Sequence, residues 1–389
     1  MTDWQDNRWM LPEGIEEALP EQAACLEGLR RDMLDLCSTW GYDQIDPPVV
    51  EYLDALFSGA GEGLQSQTFK LVDPCNGRLL GIRADMTPQA ARIDSHRLNS
   101  NGINRLCYVG GVLRTTKGSV GDVRNPIQFG AELFGSNSLD AEFEVASLML
   151  ESLSKAGVVG IHLDLGHVGI FREIASNVDW TTAQQVRFFG LLQNKDKPEI
   201  SQFLAESNFD QQSSAMLAAL SSLHGDASIL SEAEKELSAA GPAVVDAIDA
   251  LRNLAQRIEA AYPSVTLNYD LAELHGYAYH TGIVFAAFVE GQGVELARGG
   301  RYDSVGEAFG RSRPASGFSL DLRLIARVGD RKASAKTSIA APAESCPELA
   351  ALVKQLRDSG KRVTTVFDDS ESSKYPQSIC KQNNQWVVA

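Results

Sequence analysis

Polar residues alternate with a glycine along one predicted strand, residues 126–134. A period of two places Gln128, Gly130 and Glu132 on one face of this strand and apolar residues on the other. The glycine leaves room for a molecule to lie against the strand, between an amide and a carboxylate. The alternative is a solvated outer face, which is the more frequent cause of such alternation in an isolated antiparallel strand.

A carboxylate and a hydroxyl, those of Asp85 and Thr87, lie close together where a predicted strand ends and a helix begins. Thr87 is predicted to be the N-cap of this helix and Pro88 its first helical residue. One interpretation is therefore a turn followed by a cap. The other is a site for an ammonium group, to which a carboxylate and a hydroxyl can offer charge-assisted hydrogen bonds.

Two segments further along the chain combine aromatic or basic residues with glycines. Residues 275–282 hold two histidines and two tyrosines, but no HxH or HxxxH spacing and no third ligand. We therefore expect an aromatic pocket wall there and no metal site. Residues 299–303, with the sequence GGRYD, follow a predicted strand. Their glycines permit close approach of the backbone, and Arg301 could face an anion.

The composition of the 389 residues, 44% hydrophobic and 22% charged, is that of an ordinary globular protein. The net charge of −16 argues against broad binding to nucleic acid, which needs a basic surface. The six cysteines form no CxxC pair, and we expect neither disulfides nor a cofactor. No secretory leader pattern and no apolar run of about 18 residues occurs, so we expect a cytoplasmic protein without membrane contact.

The spacing of apolar residues predicts strands and helices in mixed order, which indicates an α+β fold. Helices are predicted over residues 21–40, 139–156, 321–328 and 347–358, and strands over 68–72, 79–83, 105–114, 126–134, 158–165, 265–269, 281–289, 294–297, 316–320, 362–367 and 385–389. Asn76-Gly77 is a strong turn sequence between the first two of these strands. Residues 329–345, which contain Lys, Ala, Ser and Pro, are predicted to be a linker.

These elements suggest four segments. Residues 1–169 and 264–330 would form the two parts of a sheet-containing core. Residues 170–263, rich in Ala, Leu, Gln and Glu, would form a helical insertion, and residues 346–389 a small α/β tail.

At the residues described above, the chain resembles the catalytic core of histidyl-tRNA synthetase, a class II aminoacyl-tRNA synthetase. The resemblance covers residues 10–330 in one consistent order. The matching segments are motif 2 at 113–114 and 128–135, two histidine-specific signatures at 275–285 and 299–303, the start of motif 3 at 314–318, and Pro47 and Pro48 at the place of motif 1. The resemblance implies a class II synthetase-like antiparallel sheet flanked by helices, to which the helical insertion and the α/β tail are added.

The departures from the synthetase pattern concern groups that act on ATP. Motif 2 of the synthetases has a glutamate where this chain has Thr116, and motif 3 ends in Glu-Arg where this chain has Arg323 and Leu324. A glycine of motif 3 is replaced by Asp321, whose charge would repel a triphosphate. Loss of these partners should abolish adenylate formation. The residues from 346 onward are also too few for an anticodon-binding domain of usual size.

The histidine-binding positions, in contrast, keep their chemistry. The resemblance implies that the histidine site comprises Asp85, Thr87, Arg114, Gln128, Glu132, His275, Tyr279, His280 and Arg301. Asp85, Thr87 and Gln128 would hold the α-ammonium group, and Glu132 would accept the imidazole N–H. A pocket with fixed acceptors at both ends of the ligand would reject analogues that lack either group.

The aromatic and basic members of this set would complete the site. Tyr279 and His280 would close the pocket around the imidazole ring. His275 occupies the place of an arginine that serves the substrate carboxylate in the synthetases, so the carboxylate partner stays open. Arg114 and Arg301 are the candidates to replace that arginine.

Two segments, residues 161–171 and 279–287, resemble regulatory subunits of short-form ATP phosphoribosyltransferase more than any synthetase. Membership of that family implies a non-catalytic chain that binds a separate catalytic subunit, stimulates it and confers feedback inhibition by histidine. It also implies a self-dimer within a hetero-octamer, and no binding of tRNA. Whether histidine occupies the former substrate pocket or a subunit boundary stays open. The alternatives are an active histidyl-tRNA synthetase and another ATP-dependent amino-acid ligase, and both of these need an ATP site.

Overall fold

The computed structural model describes residues 9–58, 62–117, 123–272, 279–330, 338–368, 371 and 374–389. Two compact units make up the chain, residues 1–331 and residues 332–389. No helix in the described ranges is long and apolar enough to cross a membrane.

The secondary structure alternates between strands and helices along both units. The α-helices in the described ranges are α1 (Pro20–Thr39), α2 (Leu53–Phe57), α3 (Glu62–Gln67), α4 (Thr87–Arg92), α5 (Leu139–Lys155), α6 (Val168–Ser176), α7 (Thr182–Gln193), α8 (Lys197–Glu206), α9 (Gln211–Leu220), α10 (Ser228–Leu237), α11 (Pro242–Ala261), α12 (Leu322–Val328) and α13 (Pro347–Asp358). A π-helix (Ile93–Leu98) continues α4, and two 3₁₀ turns lie at Ser238–Ala240 and Val305–Phe309. The strands are β1 (Asp43–Gln44), β2 (Val50–Tyr52), β3 (Phe69–Val72), β4 (Leu79–Ile82), β5 (Asn104–Gly111), β6 (Ile127–Phe134), β7 (Ile161–His167), β8 (His224–Gly225), β9 (Thr266–Asp270), β10 (Ile283–Val289), β11 (Ala297–Arg301), β12 (Ala315–Asp321), β13 (Ser338–Pro342), β14 (Arg362–Val366), β15 (Gln377–Gln382) and β16 (Gln385–Val388).

A large sheet forms the centre of the first unit. Over the described residues it contains nine strands in the order β1-β5-β6-β12-β11-β10-β7-β9-β8. Neighbouring strands are antiparallel except for the pairs β1–β5 and β7–β9, which are parallel. This antiparallel sheet with flanking helices confirms the predicted α+β fold.

The two faces of the large sheet differ in what covers them. One, the helix face, carries the odd-numbered residues of β6 from Phe129 to Leu133 and packs against α1, α5 and α12. The other, the site face, carries the even-numbered residues from Gln128 to Glu132. Both of these polar side chains are buried, since Met86 and other residues of a second apolar cluster cover them. The alternation predicted from the sequence is confirmed, and the alternative of a solvated outer face is wrong.

Helix α1 shows why the helix face is well packed. Leu26, Leu29, Met33 and Cys37 recur at spacings of three and four, so they form one stripe along the helix, and all four are buried. They join the main core cluster with the apolar residues of β5 and β6. The helix predicted over residues 21–40 is therefore confirmed within one residue at each end.

A smaller three-stranded sheet, in the order β2-β4-β3, precedes the helix that starts at Thr87. Strands β3 and β4 pair as the predicted antiparallel hairpin. At the turn between them Gly77 has φ +73°, a left-handed conformation that favours glycine. The sequence Asn76-Gly77 thus predicted this connection correctly.

Residues 168–261 are mostly helical, as the composition predicted, and contain α6 to α11 with the two-residue strand β8. Several of these helices begin at capping side chains: Thr181 and Gln184 form a capping box, and Asp196 and Asp210 accept backbone N–H groups. The contacts group these helices with the sheet in one unit. The boundaries of an insertion at 170 and 263 therefore stay a prediction.

The second unit corrects the sequence analysis in two places. The predicted linker, residues 329–345, contains β13, which is central in a four-stranded sheet of order β14-β13-β15-β16. Ile339, Ala340 and Ala341 are each about 1% exposed, so a short apolar run between Ser and Pro forms a buried strand without alternation. Strand β15 was not predicted, whereas α13, β14 and β16 were.

Two strands of the large sheet begin three residues later than predicted. β7 starts at Ile161 instead of residue 158, and β11 spans Ala297–Arg301 instead of 294–297. Both glycines of GGRYD, a segment predicted to follow a strand, lie inside β11. A Cβ atom on Gly299 would fall 2.4 Å from the carbonyl oxygen of Gly317 and 2.5 Å from the Phe285 ring, so glycine permits the close strand packing at this point.

Candidate functional site

Glu132 lies at the centre of the site face and is 1% exposed. The Tyr108 hydroxyl donates to Oε1 of Glu132 at 2.8 Å, and the Tyr302 hydroxyl donates to Oε2. Gly317, opposite Glu132 on β12, makes room for the carboxylate, because a Cβ atom there would fall 1.5 Å from Oε2. The sequence analysis did not find either tyrosine or this role of the glycine.

The space above Gly130 is filled by the protein itself. A Cβ atom on this glycine would fall 2.5 Å from the hydroxyl oxygen of Tyr108, whose residue is paired with Gly130 across β5 and β6. The predicted room for a ligand directly on the strand is therefore wrong. The glycine instead lets the Tyr108 ring lie across the sheet and reach Glu132.

Burial dominates the electrostatics of Glu132. Removal from water raises the pKa of its carboxyl group to about 7, although hydrogen bonds from Tyr302, Tyr108 and Thr87 lower it and the charge of Asp85 raises it further. No ion pair to Glu132 occurs in the part of the chain that the structure describes. Near neutral pH this group is therefore divided between its acidic and ionised forms, and it can either donate or accept a hydrogen bond.

Asp85, Thr87 and Gln128 are brought together next to Glu132. The side-chain amide of Gln128 donates to Oδ1 of Asp85 at 2.8 Å and accepts from the backbone N–H of Met86 at 2.9 Å. The Thr87 hydroxyl lies 3.0 Å from the hydroxyl of Tyr108, which links this group to Glu132. These contacts hold a carboxylate, an amide and a hydroxyl in one fixed arrangement.

The capping role predicted for Thr87 is wrong. Helix α4 begins at Thr87 itself, and Asp85 accepts the backbone N–H of Thr87 at 2.9 Å. Asp85 therefore satisfies the first free N–H group of the helix. This leaves the Thr87 hydroxyl available to the site.

Tyr279 and His280 lie at the edge of the same group, with ring centroids 4.3 Å apart. His280 is buried. Burial raises the pKa of the Tyr279 hydroxyl, and the charge of Asp85 adds to this effect. A further predicted site residue, His275, lies outside the described residues.

Arg301 does not belong to this group, contrary to the prediction. The register pairs it with Ser316, and Ser316 with Leu133, so its side chain projects from the helix face. There its Nε donates to Oε1 of Glu142 at 2.5 Å and its Nη1 to Oδ1 of Asp303 at 3.1 Å. The arginine thus joins the sheet to the first turn of α5. The next residue, Tyr302, projects to the opposite side of the sheet and so lies on the site face.

A cavity of about 590 Å³ opens beside Gln128. Its polar lining residues are Gln67, Arg114, Gln128, Glu295, Arg298, Ser319 and Asp321. Leu324 lines the same cavity. Oδ1 of Asp321 accepts the backbone N–H groups of Ile127 at 3.0 Å and Arg323 at 2.9 Å, and burial raises the pKa of its carboxyl group.

The lining of this cavity departs from the synthetase pattern at two positions. Leu324 stands where the resemblance has the arginine that holds ATP, and Asp321 stands where it has a glycine. Arg114 lines the cavity, with its Nε 3.4 Å from the carbonyl oxygen of Ala84, and its part in a histidine site stays a prediction. No group of three or more His, Cys, Asp or Glu side chains that could hold a metal is found across the described ranges.

The chain is similar to known proteins over both units. The family model described as "Histidyl-tRNA synthetase" matches residues 14–325, and the model described as "ATP phosphoribosyltransferase subunit HisZ C-terminal domain" matches residues 336–389. The second match includes β13, and so places the start of the tail ahead of the predicted residue 346.

Two of the most similar curated relatives share one description. An ATP phosphoribosyltransferase regulatory subunit from Thioalkalivibrio sulfidiphilus is 50% identical over 364 residues, 93% of this chain and 92% of the relative. Another, from Methylococcus capsulatus, is 46% identical over 390 residues, 98% of this chain and 96% of the relative.

Solved structures share the fold. An ATP phosphoribosyltransferase regulatory subunit/histidyl-tRNA synthetase from Bacillus halodurans has a TM-score of 0.82 and 27% identity, with 95% of this chain and 97% of that chain covered. A chain of the ATP phosphoribosyl transferase (HisG:HisZ) complex from Thermotoga maritima has a TM-score of 0.58 and 19% identity, with 76% and 96% covered. The histidyl-tRNA synthetase of Nostoc has a TM-score of 0.76 at 17% identity, with 98% and 97% covered. The identity to curated relatives over nearly the whole length shows that the chain belongs to the family of ATP phosphoribosyltransferase regulatory subunits.

Proposed function

We propose that this chain binds histidine on the site face and conveys its presence to the catalytic subunit of ATP phosphoribosyltransferase. In the absence of histidine it stimulates that subunit, and with histidine bound it confers feedback inhibition of the first step of histidine biosynthesis. The observation that carries this proposal is the buried group of Glu132, Asp85, Gln128 and Thr87 next to a cavity in which Leu324 replaces the ATP-binding arginine and Asp321 a glycine.

The geometry suits an amino acid with an imidazole side chain. The oxygen atoms of Asp85, Gln128 and Thr87 can accept the three N–H bonds of an α-ammonium group. Glu132 can exchange a proton or a hydrogen bond with the ring, because its pKa of about 7 is close to that of imidazole. Tyr279 supplies an aromatic wall. A ligand that lacks either end leaves a buried polar group unpaired, which costs about 1–3 kcal/mol.

Two alternatives, an active histidyl-tRNA synthetase and another ATP-dependent ligase, need a site for the triphosphate. Leu324 offers no charge to it and Asp321 offers the wrong one. We therefore infer that the purified chain does not catalyse histidine-dependent exchange between ATP and pyrophosphate. Detection of that exchange would contradict the proposed function.

The proposed partners follow from family membership. The catalytic subunit would carry out displacement of pyrophosphate from phosphoribosyl pyrophosphate by ATP, and this chain would form dimers that assemble with it into a hetero-octamer. The net charge of −16 supports the absence of tRNA binding. The cytoplasmic location stays a prediction.

The direct test reconstitutes the chain with its catalytic subunit and measures turnover with and without histidine. Asp85→Asn removes the charge that would face the ammonium group, so we expect stimulation and complex formation to persist and inhibition by histidine to weaken about 10-fold or more. Asp35→Asn, an exposed position on α1, is the matched control and should leave both effects unchanged. Unchanged inhibition of the Asp85 variant would remove this residue from the histidine site.

A further inference from the structure

Among the residues that the structure describes, the group around Asp85 and Glu132 contains no cation for the carboxylate of the bound amino acid. Arg301 projects from the helix face, where Glu142 and Asp303 hold it. Two arginines line the cavity beside Gln128, namely Arg114 and Arg298. Of these two, only Arg114 was a candidate from the sequence, because Arg298 precedes the second histidine signature and belongs to no motif.

The strand register places Arg298 on the site face. Arg298 of β11 pairs with Ser319 of β12, and Ser319 pairs with Gly130 of β6, so the three residues form one row across the sheet. At the usual spacing between strands, the Cα atom of Arg298 lies about 10 Å from the Cα atom of Gly130, two strands away. Both neighbours of Arg298 in this row have small side chains. Ser319 lies between Arg298 and Gly130, and Ala286 pairs with Arg298 on its other side. A shallow depression therefore separates the guanidinium from the group around Gln128.

The two arginines act on different groups beside the cavity. Burial and the charges of Asp85 and Glu132 raise the pKa of the Tyr279 hydroxyl, and the charge of Arg298 lowers it. Burial raises the pKa of the Asp321 carboxyl group, and the charge of Arg114 lowers it. Because a carboxylate in a bound amino acid is one bond from the carbon that carries the ammonium group, its cation must lie near Asp85. Arg114 meets this condition through its contact with Ala84, so what distinguishes Arg298 is the carboxylate that it already binds.

Arg298 already forms an ion pair with the carboxylate of Glu295. Its Nε donates to Oε1 of Glu295 at 2.6 Å and its Nη2 donates to Oε2, a bidentate pair. The two side chains are 35% and 24% exposed, so the pair is accessible from the cavity and from solvent. Glu295 also lies just after Gly291 and Gly293, whose positive φ values form the turn between β10 and β11. It can therefore leave the arginine for water without disturbing a strand.

We propose that Arg298 binds the α-carboxylate of the effector amino acid in exchange for Glu295, which makes it a specificity-determining residue of the histidine site. This inference rests on the proposed function. The ligand carboxylate has the same forked geometry as that of Glu295, so the exchange conserves both charge-assisted hydrogen bonds. Glu295 thus competes with the ligand and sets the affinity of the empty site for it.

The test compares histidine with histamine, which has the same ring and ammonium group but no carboxylate. Calorimetric titrations use the full chain, both alone and assembled with its catalytic subunit. The wild-type chain should prefer histidine by about 10- to 100-fold, as a charge-assisted pair provides. Arg298→Gln should reduce this preference to within about 3-fold by weakening histidine alone. Glu295→Gln should have the opposite effect and strengthen the binding of histidine several-fold, with histamine unchanged.

The chain offers a closely matched control. Arg105 forms a bidentate pair with Glu144 at 2.7 and 2.8 Å, and these side chains are 33% and 22% exposed, but Arg105 pairs with Leu133 and so lies on the helix face. Arg105→Gln should therefore keep the preference for histidine.

The possible outcomes separate the two proposals. If neither the wild-type chain nor its complex binds histidine saturably, the proposed function fails and this inference fails with it. If the wild type binds histidine and Arg298→Gln keeps the full preference, only the inference is overturned. Loss of the preference in Arg114→Gln, with Arg298→Gln unaffected, would assign the carboxylate to Arg114 and also overturn it.

Discussion

The buried carboxyl group of Glu132 should make the stability of this protein depend on pH in a way that one substitution removes. The folded state raises the pKa of Glu132 from 4.5 to about 7. Between these two values the folded chain holds a proton that the unfolded chain releases, so the contribution of Glu132 to stability declines as pH rises through this window. Glu132→Gln has nearly the same shape and no charge to desolvate.

The expected magnitude follows from the two pKa values. A difference of about 2.5 between them corresponds to about 3 kcal/mol. The free energy of unfolding of Glu132→Gln, relative to wild type, should therefore rise by about 3 kcal/mol from pH 4.5 to pH 8. Most of the change should lie below pH 7. A glutamine can still accept a hydrogen bond from one of the two tyrosines and donate to the other.

Urea titrations of both proteins at several pH values measure this difference, because effects common to both chains cancel. The same change at Glu21, exposed on α1, is the control and should give no comparable trend. Infrared difference spectra between wild type and Glu132→Gln add a direct measurement, a protonated carboxyl band that disappears with a midpoint near pH 7. A midpoint near 4.5, or a stability difference independent of pH, would refute the argument that burial controls this group.

Two further substitutions test the packing around the site. Gly317→Ala places a Cβ atom on the carboxylate of Glu132, so we expect a loss of about 1–3 kcal/mol in unfolding free energy and weaker binding in histidine titrations; normal binding would show that the carboxylate can move aside. Arg313→Met leaves the carboxylate of Asp94, which is 0% exposed, without its cation, and should cost about 3–5 kcal/mol in urea unfolding. The exposed arginine Arg31 is the control, since its loss should cost about 1 kcal/mol or less, and equal losses at both positions would contradict the role of burial.

The fold could be predicted wherever burial is one-sided. Helix α1 buries one face, so the period of its apolar residues is visible in the sequence. The hairpin of β3 and β4 is marked by the turn sequence between its strands. Strand β13 was missed for the opposite reason. It lies between two parallel neighbours, and its run Ile339, Ala340, Ala341 has no alternation to reveal it. Its short apolar run between polar residues resembled a linker.

The strand face that carries the polar residues was predictable, but the side chains that cover this face were not. Alternation placed Gln128 and Glu132 on one face, and this is confirmed. Their burial depends on Tyr108 of β5 and on Tyr302, which follows β11. No local sequence pattern indicates that these two side chains cover the face.

The GGRYD segment shows why resemblance must be followed residue by residue through the register. Its five residues are adjacent in sequence, but Arg301 and Tyr302 project to opposite faces of the sheet. The arginine holds Glu142 in the first turn of α5, and the tyrosine holds Glu132 in the site. A substitution of Arg301 should therefore act on stability, whereas one of Tyr302 should act on ligand binding. Both roles of the segment thus serve the sheet and the carboxyl group of Glu132, and neither depends on a nucleotide.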